Sequence, residues 1–249
     1  KSAREIELMA EAGRILEIVH NELRDALHAG MSTLDIDRLG EEIIRSYDCI
    51  PSFLNYNGYP ASICVSLNQE VVHGIPDKHR LIQDGDIVSL DAGVIYKGYH
   101  SDAARTYGVG EISKEAKNLM QITKECFFEG IKYAREGNHL FDISGAIGRY
   151  AEERGYGVVR DLCGHGIGTA LHEAPEIPNY EVGRKGVKLR PGMTLAIEPM
   201  INIGTYEVDW LDDDWTVVTR DGSLSAHYEN TILITEGEPR ILSLTCDNE

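Results

Sequence analysis

Residues 81–94 read LIQDGDIVSLDAGV and residues 188–201 read KLRPGMTLAIEPMI. Each is a glycine turn followed by an apolar run that closes on one carboxylate, Asp91 in the first and Glu198 in the second. A short apolar run after a turn reads as a buried strand. The two segments are 107 residues apart, and the same offset carries Gly30, Asp35 and Ile36 onto Gly137, Asp142 and Ile143. Two separated blocks that match at one offset point to an internal duplication rather than to chance recurrence of glycine turns.

The order of elements repeats as well. Ser2 and Glu5 form a capping box ahead of a helix over 2–29, with Gly30 as its stop. A second helix follows Thr33, with Ile36, Leu39 and Ile43 on one face. After the turn-rich loop PSFLNYNGYP come strands in SICVSL, DIVSLDAGV and SDAARTYGV. Two further helices are predicted over 113–136 and 140–154, ended by Gly137 and Gly155, and then strands in MTLAIEPMI, WTVVTR and HYENTILIT. The duplication predicts an α+β fold with pseudo-twofold symmetry: a curved antiparallel sheet, helices over its outer face and a site on its inner face. The whole chain, 1–249, is expected to be a single catalytic domain of two related halves, about 1–110 and 111–249.

Hydrophobic residues make up 42% of the 249, enough for a sizeable core. No segment is long and apolar enough to span a bilayer, and no signal-peptide pattern opens the chain. The 24 basic and 41 acidic residues leave a formal charge of −17, which argues against nucleic acid and anionic membrane as partners. Cys49, Cys64, Cys126, Cys163 and Cys246 are odd in number and contain no CxxC pair. That pattern fits a reducing, cytoplasmic compartment rather than a disulfide framework or a thiolate zinc site.

The carboxylates carry the chemistry. Asp91 and Asp102 flank VIYKGYH, whose Lys97-Gly98 reads as a hairpin turn. In such a hairpin the two aspartates share a face, directly opposed or one step diagonal, and like charges so placed cost stability unless a cation lies between them. The second half offers Glu198 and Glu229, each expected inside a strand. Their separation has grown from 11 to 31, which implies an insertion of 20 residues within NIGTYEVDWLDDDWTVVTRDG. CGHGIGTALHE (163–173) adds His165, flanked by Gly164 and Gly166, which allow backbone conformations that a Cβ would forbid. Four carboxylates and one imidazole suit a pair of divalent ions; Mn, Fe(II), Co, Zn or Mg fit these ligands.

With DAG, HSDA, GHGIG, IEPM and YENT in this order, and with VVHGIP (71–76) and LHEAP (171–175), the chain resembles the type I methionine aminopeptidases, metallopeptidases of the pita-bread fold. The resemblance spans essentially the whole chain. It implies that Asp91 chelates one ion, His165 and Glu198 the other, and that Asp102 and Glu229 bridge. The ions would be two of Mn, Fe(II), Co or Zn, with a monovalent cation near Asn68 and Ser225. His73 and His172 would contact substrate at the scissile bond. Tyr56, Tyr59, Cys64, Leu171 and Trp215 would line the methionine pocket. The implied reaction removes N-terminal methionine from nascent proteins and peptides with a small second residue, by a hydroxide shared between the ions, with Glu198 as general base. A peptide or nascent-chain N-terminus, the ribosome and a monomeric state are the partners it implies. Two positions depart from the family pattern: Gly93, where a small hydroxyl residue is common, and Leu171, where an aromatic is. The competing readings are a proline-selective aminopeptidase or dipeptidase of the same fold and a non-catalytic peptide-binding relative.

Overall fold

The computed structural model describes residues 1–244; Cys246 lies outside them. α1 (Ala3–Ala26) and α2 (Thr33–Ser46) precede β1 (Ile50–Pro51), β2 (Ile63–Leu67), β3 (Glu70–Val72), β4 (Ile87–Tyr96) and β5 (Tyr99–Gly108). Then α3 (Lys114–Ile131) and α4 (Leu140–Glu152) precede β6 (Gly157–Val158), β7 (Gly164–Gly166), β8 (Glu173–Ile177), β9 (Thr194–Ile197) and β10 (Met200–Asn202). β11 (Val208–Trp210), β12 (Val217–Thr219), β13 (Ser225–His227), β14 (Asn230–Leu233) and β15 (Arg240–Ile241) complete the order.

Ser2 and Glu5 open α1 with the expected capping box. The helix ends at Ala26, short of residue 29, because Leu27 turns extended at ψ 122°. Gly30 instead serves the following turn, at φ 89°. α3 likewise stops at Ile131 rather than at 136, and a turn segment leads from it to Gly137.

The offset of 107 recurs in the backbone itself. Gly30 N–H donates to Ile82 O and Ile82 N–H to Met31 O; Gly137 N–H donates to Leu189 O and Leu189 N–H to Asn138 O. Asp35 accepts from the N–H of Ser32 ahead of α2, and Asp142 from the N–H of His139 ahead of α4. The isolated bridges Ser32–Leu81 and His139–Lys188 are offset in the same way.

The ladders between strands are antiparallel but do not run unbroken. They form four hydrogen-bonded groups: β1-β4-β2 with β5, β13-β10-β6, β11-β12-β3, and β15-β14-β9-β7-β8. The halves meet where Ala104 and Glu229 exchange backbone hydrogen bonds. On one side of that pair Thr231 Oγ1 accepts from Asp102 N–H and donates to Asp102 O. On the other side Thr106 Oγ1 accepts from His227 N–H and donates to His227 O. The pseudo-twofold axis therefore passes between Ala104 and Glu229.

Each half buries its own core. Leu16, Val19, Ile36 and Ile44 of α1 and α2 pack on Val65, Leu90 and Val94. Leu119, Phe127, Ile143 and Ile147 of α3 and α4 pack on Leu195, Ile197, Ile201 and Ile232. The inserted segment forms the hairpin β11–β12, which pairs with β3 and delivers Trp215 to the inner face. No helix among the described residues is long and apolar enough to cross a membrane.

Candidate metal centre

The β4–β5 hairpin turns at Lys97 (φ 48°) and Gly98 (φ 86°), the left-handed pair that a two-residue turn of the primed type needs. Its register sets Asp91 opposite Ala104 and Asp102 opposite Gly93. The two aspartates are thus diagonal neighbours on one face. Gly93 is glycine because a Cβ there would lie 2.7 Å from Cβ of Ser52 and 3.0 Å from the Phe53 ring.

Glu198 and Glu229 lie not inside strands, as expected, but in matched breaks between them: Glu198-Pro199 separates β9 from β10, and Tyr228-Glu229 separates β13 from β14. Pro199 offers no N–H to a ladder. The register nevertheless survives the break, since Ile197 faces Asn230, Met200 faces His227, and Tyr228 N–H donates to Pro199 O. Glu198 therefore stands directly opposite Glu229. His165 comes from β7, whose flanking glycines serve close packing rather than an unusual φ. A Cβ on Gly164 would meet Ala196 O at 2.4 Å, and one on Gly166 would meet Ala174 O at 2.3 Å.

Asp91, Asp102, His165, Glu198 and Glu229 line one cavity of about 130 Å³. The same cavity is lined by His73, His172, Tyr56, Tyr59, Cys64, Leu171 and Trp215, so the fold brings every predicted site residue together. Phe53 and Asn57 also line it and were not expected from the sequence. The volume suits a single side chain; drug-sized pockets run roughly 300–1,000 Å³. A wider cleft of about 820 Å³ opens from His73, His165, His172 and Glu198 past Cys163 and Glu176, room for the rest of a peptide.

Burial dominates the electrostatics. It pushes Asp91 up to about 7, with the charge of Glu198 adding and His227 opposing. It pushes Glu198 up to about 8. Asp102 and Glu229 rise well above the usual carboxylate range, from burial first and then from their acidic neighbours. Burial holds His165, His73 and His227 near 4, so all three rings are neutral at pH 7. His172 is lowered for the same reason.

A cation is what this arrangement lacks. Asp91 Oδ1, Asp102 Oδ1 and Glu229 Oε1 are buried without a hydrogen-bond partner. Nε2 of His165 lies 3.8 Å from Asp102 Oδ2 and 3.6 Å from Glu198 Oε1, too far for hydrogen bonds and suited to ligands sharing an ion. Its Nδ1–H donates to Gly166 O at 2.8 Å, which turns the Nε2 lone pair to the centre. The donors Asp102, His165 and Glu229, and likewise Glu198, His227 and Glu229, lie within 4.8 Å of one another. The residues present fit divalent metal.

Around the centre, the Tyr56 hydroxyl lies 2.9 Å from Nδ1 of His172, and the His172 and His165 rings meet edge to face at 4.2 Å. Trp215 packs edge-on to Tyr59 (5.1 Å) and His73 (6.4 Å). His73 holds a left-handed backbone at φ 61°. His227, which sequence reasoning passed over, is buried behind Glu198, its Nε2 3.7 Å from Glu198 Oε2.

The sequence profile of metallopeptidase family M24 matches residues 7–236. The chain belongs to metallopeptidase family M24. Within M24 it falls with the methionine aminopeptidases of the type I, bacterial-like kind. It is 55% identical to the methionine aminopeptidase of Clostridium acetobutylicum, over 98% of each chain. The crystal structure of the Thermotoga maritima methionine aminopeptidase superposes with a TM-score of 0.96 at 44% identity, covering 98% of both chains. The M24 pita-bread fold also relates it to the Xaa-Pro dipeptidase of Bacillus anthracis, with a TM-score of 0.79 at 25% identity over 100% of this chain and 62% of that one.

Proposed function

We propose that the protein is a methionyl aminopeptidase that removes N-terminal methionine from nascent proteins and peptides with a small second residue. The observation that carries the reading is the buried convergence of Asp91, Asp102, His165, Glu198 and Glu229 at the floor of a cavity sized for one side chain. Asp91 would hold one ion, His165 and Glu198 the other, and Asp102 and Glu229 both; Mn, Fe(II), Co and Zn suit these donors. Bound there, the ions supply a water acidic enough to lose its proton near neutral pH and a Lewis-acid pull on the scissile carbonyl.

The remaining steps fall to side chains of the chain. Tyr56, Tyr59, Cys64, Leu171 and Trp215 enclose the methionine side chain, for which aromatic rings and sulfur are favourable neighbours. Glu198 takes up a proton as general base and returns it to the leaving amine. His172 donates toward the developing negative charge, and His73 holds the tetrahedral species; losing one such donor costs on the order of 10²–10³ in rate. Neutral rings with a fixed N–H suit both roles, and the Tyr56 hydroxyl gives His172 that fixed orientation.

In this reading residues 1–249 act as one catalytic domain, monomeric and cytoplasmic, on peptide or nascent-chain ends, at the ribosome for the latter. A monovalent cation would sit by Asn68 and Ser225, where Ser225 N–H donates to Asn68 O. The proline-selective alternative has weaker support, because identity drops to 25% with the Xaa-Pro dipeptidase against 55% with a methionine aminopeptidase. Peptide hydrolysis by metal-loaded protein separates the two. Met-Ala-Ser loses its methionine, Met-Leu-Ser resists and Ala-Pro-Ala is untouched. Cleavage of Ala-Pro-Ala alone overturns the proposal in favour of the alternative.

A further inference from the structure

The Glu198 carboxylate sits between two imidazoles. Its Oε1 is 3.6 Å from Nε2 of His165 and its Oε2 is 3.7 Å from Nε2 of His227. The two rings differ in what lies behind them. His165 has a carbonyl acceptor at Nδ1, Gly166 O, so its proton is on Nδ1 and its Nε2 carries the lone pair. His227 has no hydrogen-bond partner at Nδ1. A proton placed there would be a buried donor with nothing to bond, which folded proteins rarely tolerate; a bare acceptor is tolerated more often. The proton of His227 therefore belongs on Nε2, the nitrogen that faces Glu198.

Symmetry says why an imidazole stands at this point. Across β4 and β5, Asp102 is opposite Gly93. The offset of 107 carries Gly93 to Met200, and the residue opposite Met200 is His227. The threonine pairs about the axis agree: Thr231 bridges the backbone of Asp102 as Thr106 bridges that of His227. His227 is thus the pseudo-symmetry mate of Asp102. Glu229 is the mate of Ala104, the residue with which it exchanges hydrogen bonds across the axis. One half fills the position with a carboxylate of the centre and the other with a ring that has a proton to give. Glu198 and His227 are also diagonal neighbours on one face of their strand pair, the relation that Asp91 has to Asp102.

We infer that His227 is a positioning residue for Glu198, its Nε2–H holding Oε2 while Oε1 is left to the metal centre. A turn of the Glu198 carboxylate closes the 3.7 Å separation to a hydrogen bond. Hydrogen-bonding partners of metal-ligating carboxylates are typically worth about 10–100-fold in metal affinity or activity. The inference rests on the role proposed above for Glu198.

The test uses the full chain loaded with Zn(II), which is diamagnetic. Long-range ¹⁵N–¹H correlation spectra should show His227 protonated at Nε2 and His165 protonated at Nδ1. H227Q keeps a donor at the same reach and should hold kcat on Met-Ala-Ser within about threefold. H227N is too short and should lower kcat about 10–100-fold with KM and metal content unchanged. His227 protonated at Nδ1, equal loss of metal from H227Q and H227N, or wild-type kcat in H227N each overturns the inference. If H227N fails to fold, the spectra and H227Q decide it. A wild-type protein that leaves Met-Ala-Ser intact would defeat the proposed function, while the proton positions would still be read.

Discussion

Glu198 stands directly across from Glu229 at the point where β9 and β14 give way to β10 and β13, with Asp102 close enough to raise the carboxyl of Glu229 further. Like charges opposed on a sheet face are destabilising, and burial removes the water that would screen them. The metal-free protein should therefore be stabilised by deleting one of these charges. In chelator-treated protein, Glu229→Gln should raise the melting temperature by about 2–4 °C, the shift that ~1 kcal/mol gives a chain of this size. The same variant should bind Mn(II) at least about tenfold more weakly. A lower melting temperature together with unchanged metal affinity would contradict the ligand role of Glu229.

The pH dependence of metal-free stability follows from the same carboxylates. Asp91 and Glu198 are raised to about 7 and about 8, from model values of 3.8 and 4.5. A raised acid binds its proton in the folded state over a range where the unfolded chain has lost it. Stability from these groups is complete below the unfolded values and is lost as pH rises through the folded ones. Metal-free protein should melt at lower temperature at pH 8.5 than at pH 6, and saturating Mn(II) should abolish or reverse the difference. Calorimetry in matched buffers reads both, and a metal-free melting temperature that climbs from pH 6 to pH 8.5 would refute the assignment.

The 2.9 Å contact between Tyr56 and His172 joins the wall of the pocket to a group at the reacting atoms. Tyr56→Phe keeps the ring and removes the hydroxyl. One hydrogen bond of this kind is worth ~1 kcal/mol, so kcat should fall about 5–10-fold while KM for Met-Ala-Ser stays near wild type. A change confined to KM would make Tyr56 a wall residue only.

Glu198→Gln keeps the shape of the side chain and removes the base. Turnover should fall by about 10²–10⁴ with the far-ultraviolet circular dichroism unchanged. Turnover close to wild type would remove Glu198 from the chemistry.

The duplication was legible because it is written in glycines and carboxylates at a constant offset, and those residues do the same backbone work in each half: Gly30 and Gly137, Asp35 and Asp142. The β4–β5 hairpin was legible from Lys97-Gly98, since a two-residue primed turn fixes the register around it. Three features were not. The breaks at Glu198 and Glu229 depend on strand pairing between segments 31 residues apart, and Pro199 alone does not place them. The packing role of Gly164 and Gly166 depends on Ala196 O and Ala174 O, which are distant in the chain or on the far side of a bulge. His227 escaped notice because a comparison keyed to carboxylates passes over an imidazole standing in the place of one.

The measurement closest to the central claim is anomalous diffraction from crystals soaked in Mn(II). Two anomalous peaks are expected in the cavity, each within bonding distance of Asp102 and Glu229, one also contacting Asp91 and the other His165 and Glu198. Peaks confined to the protein surface, with these five side chains uncoordinated, would contradict the account.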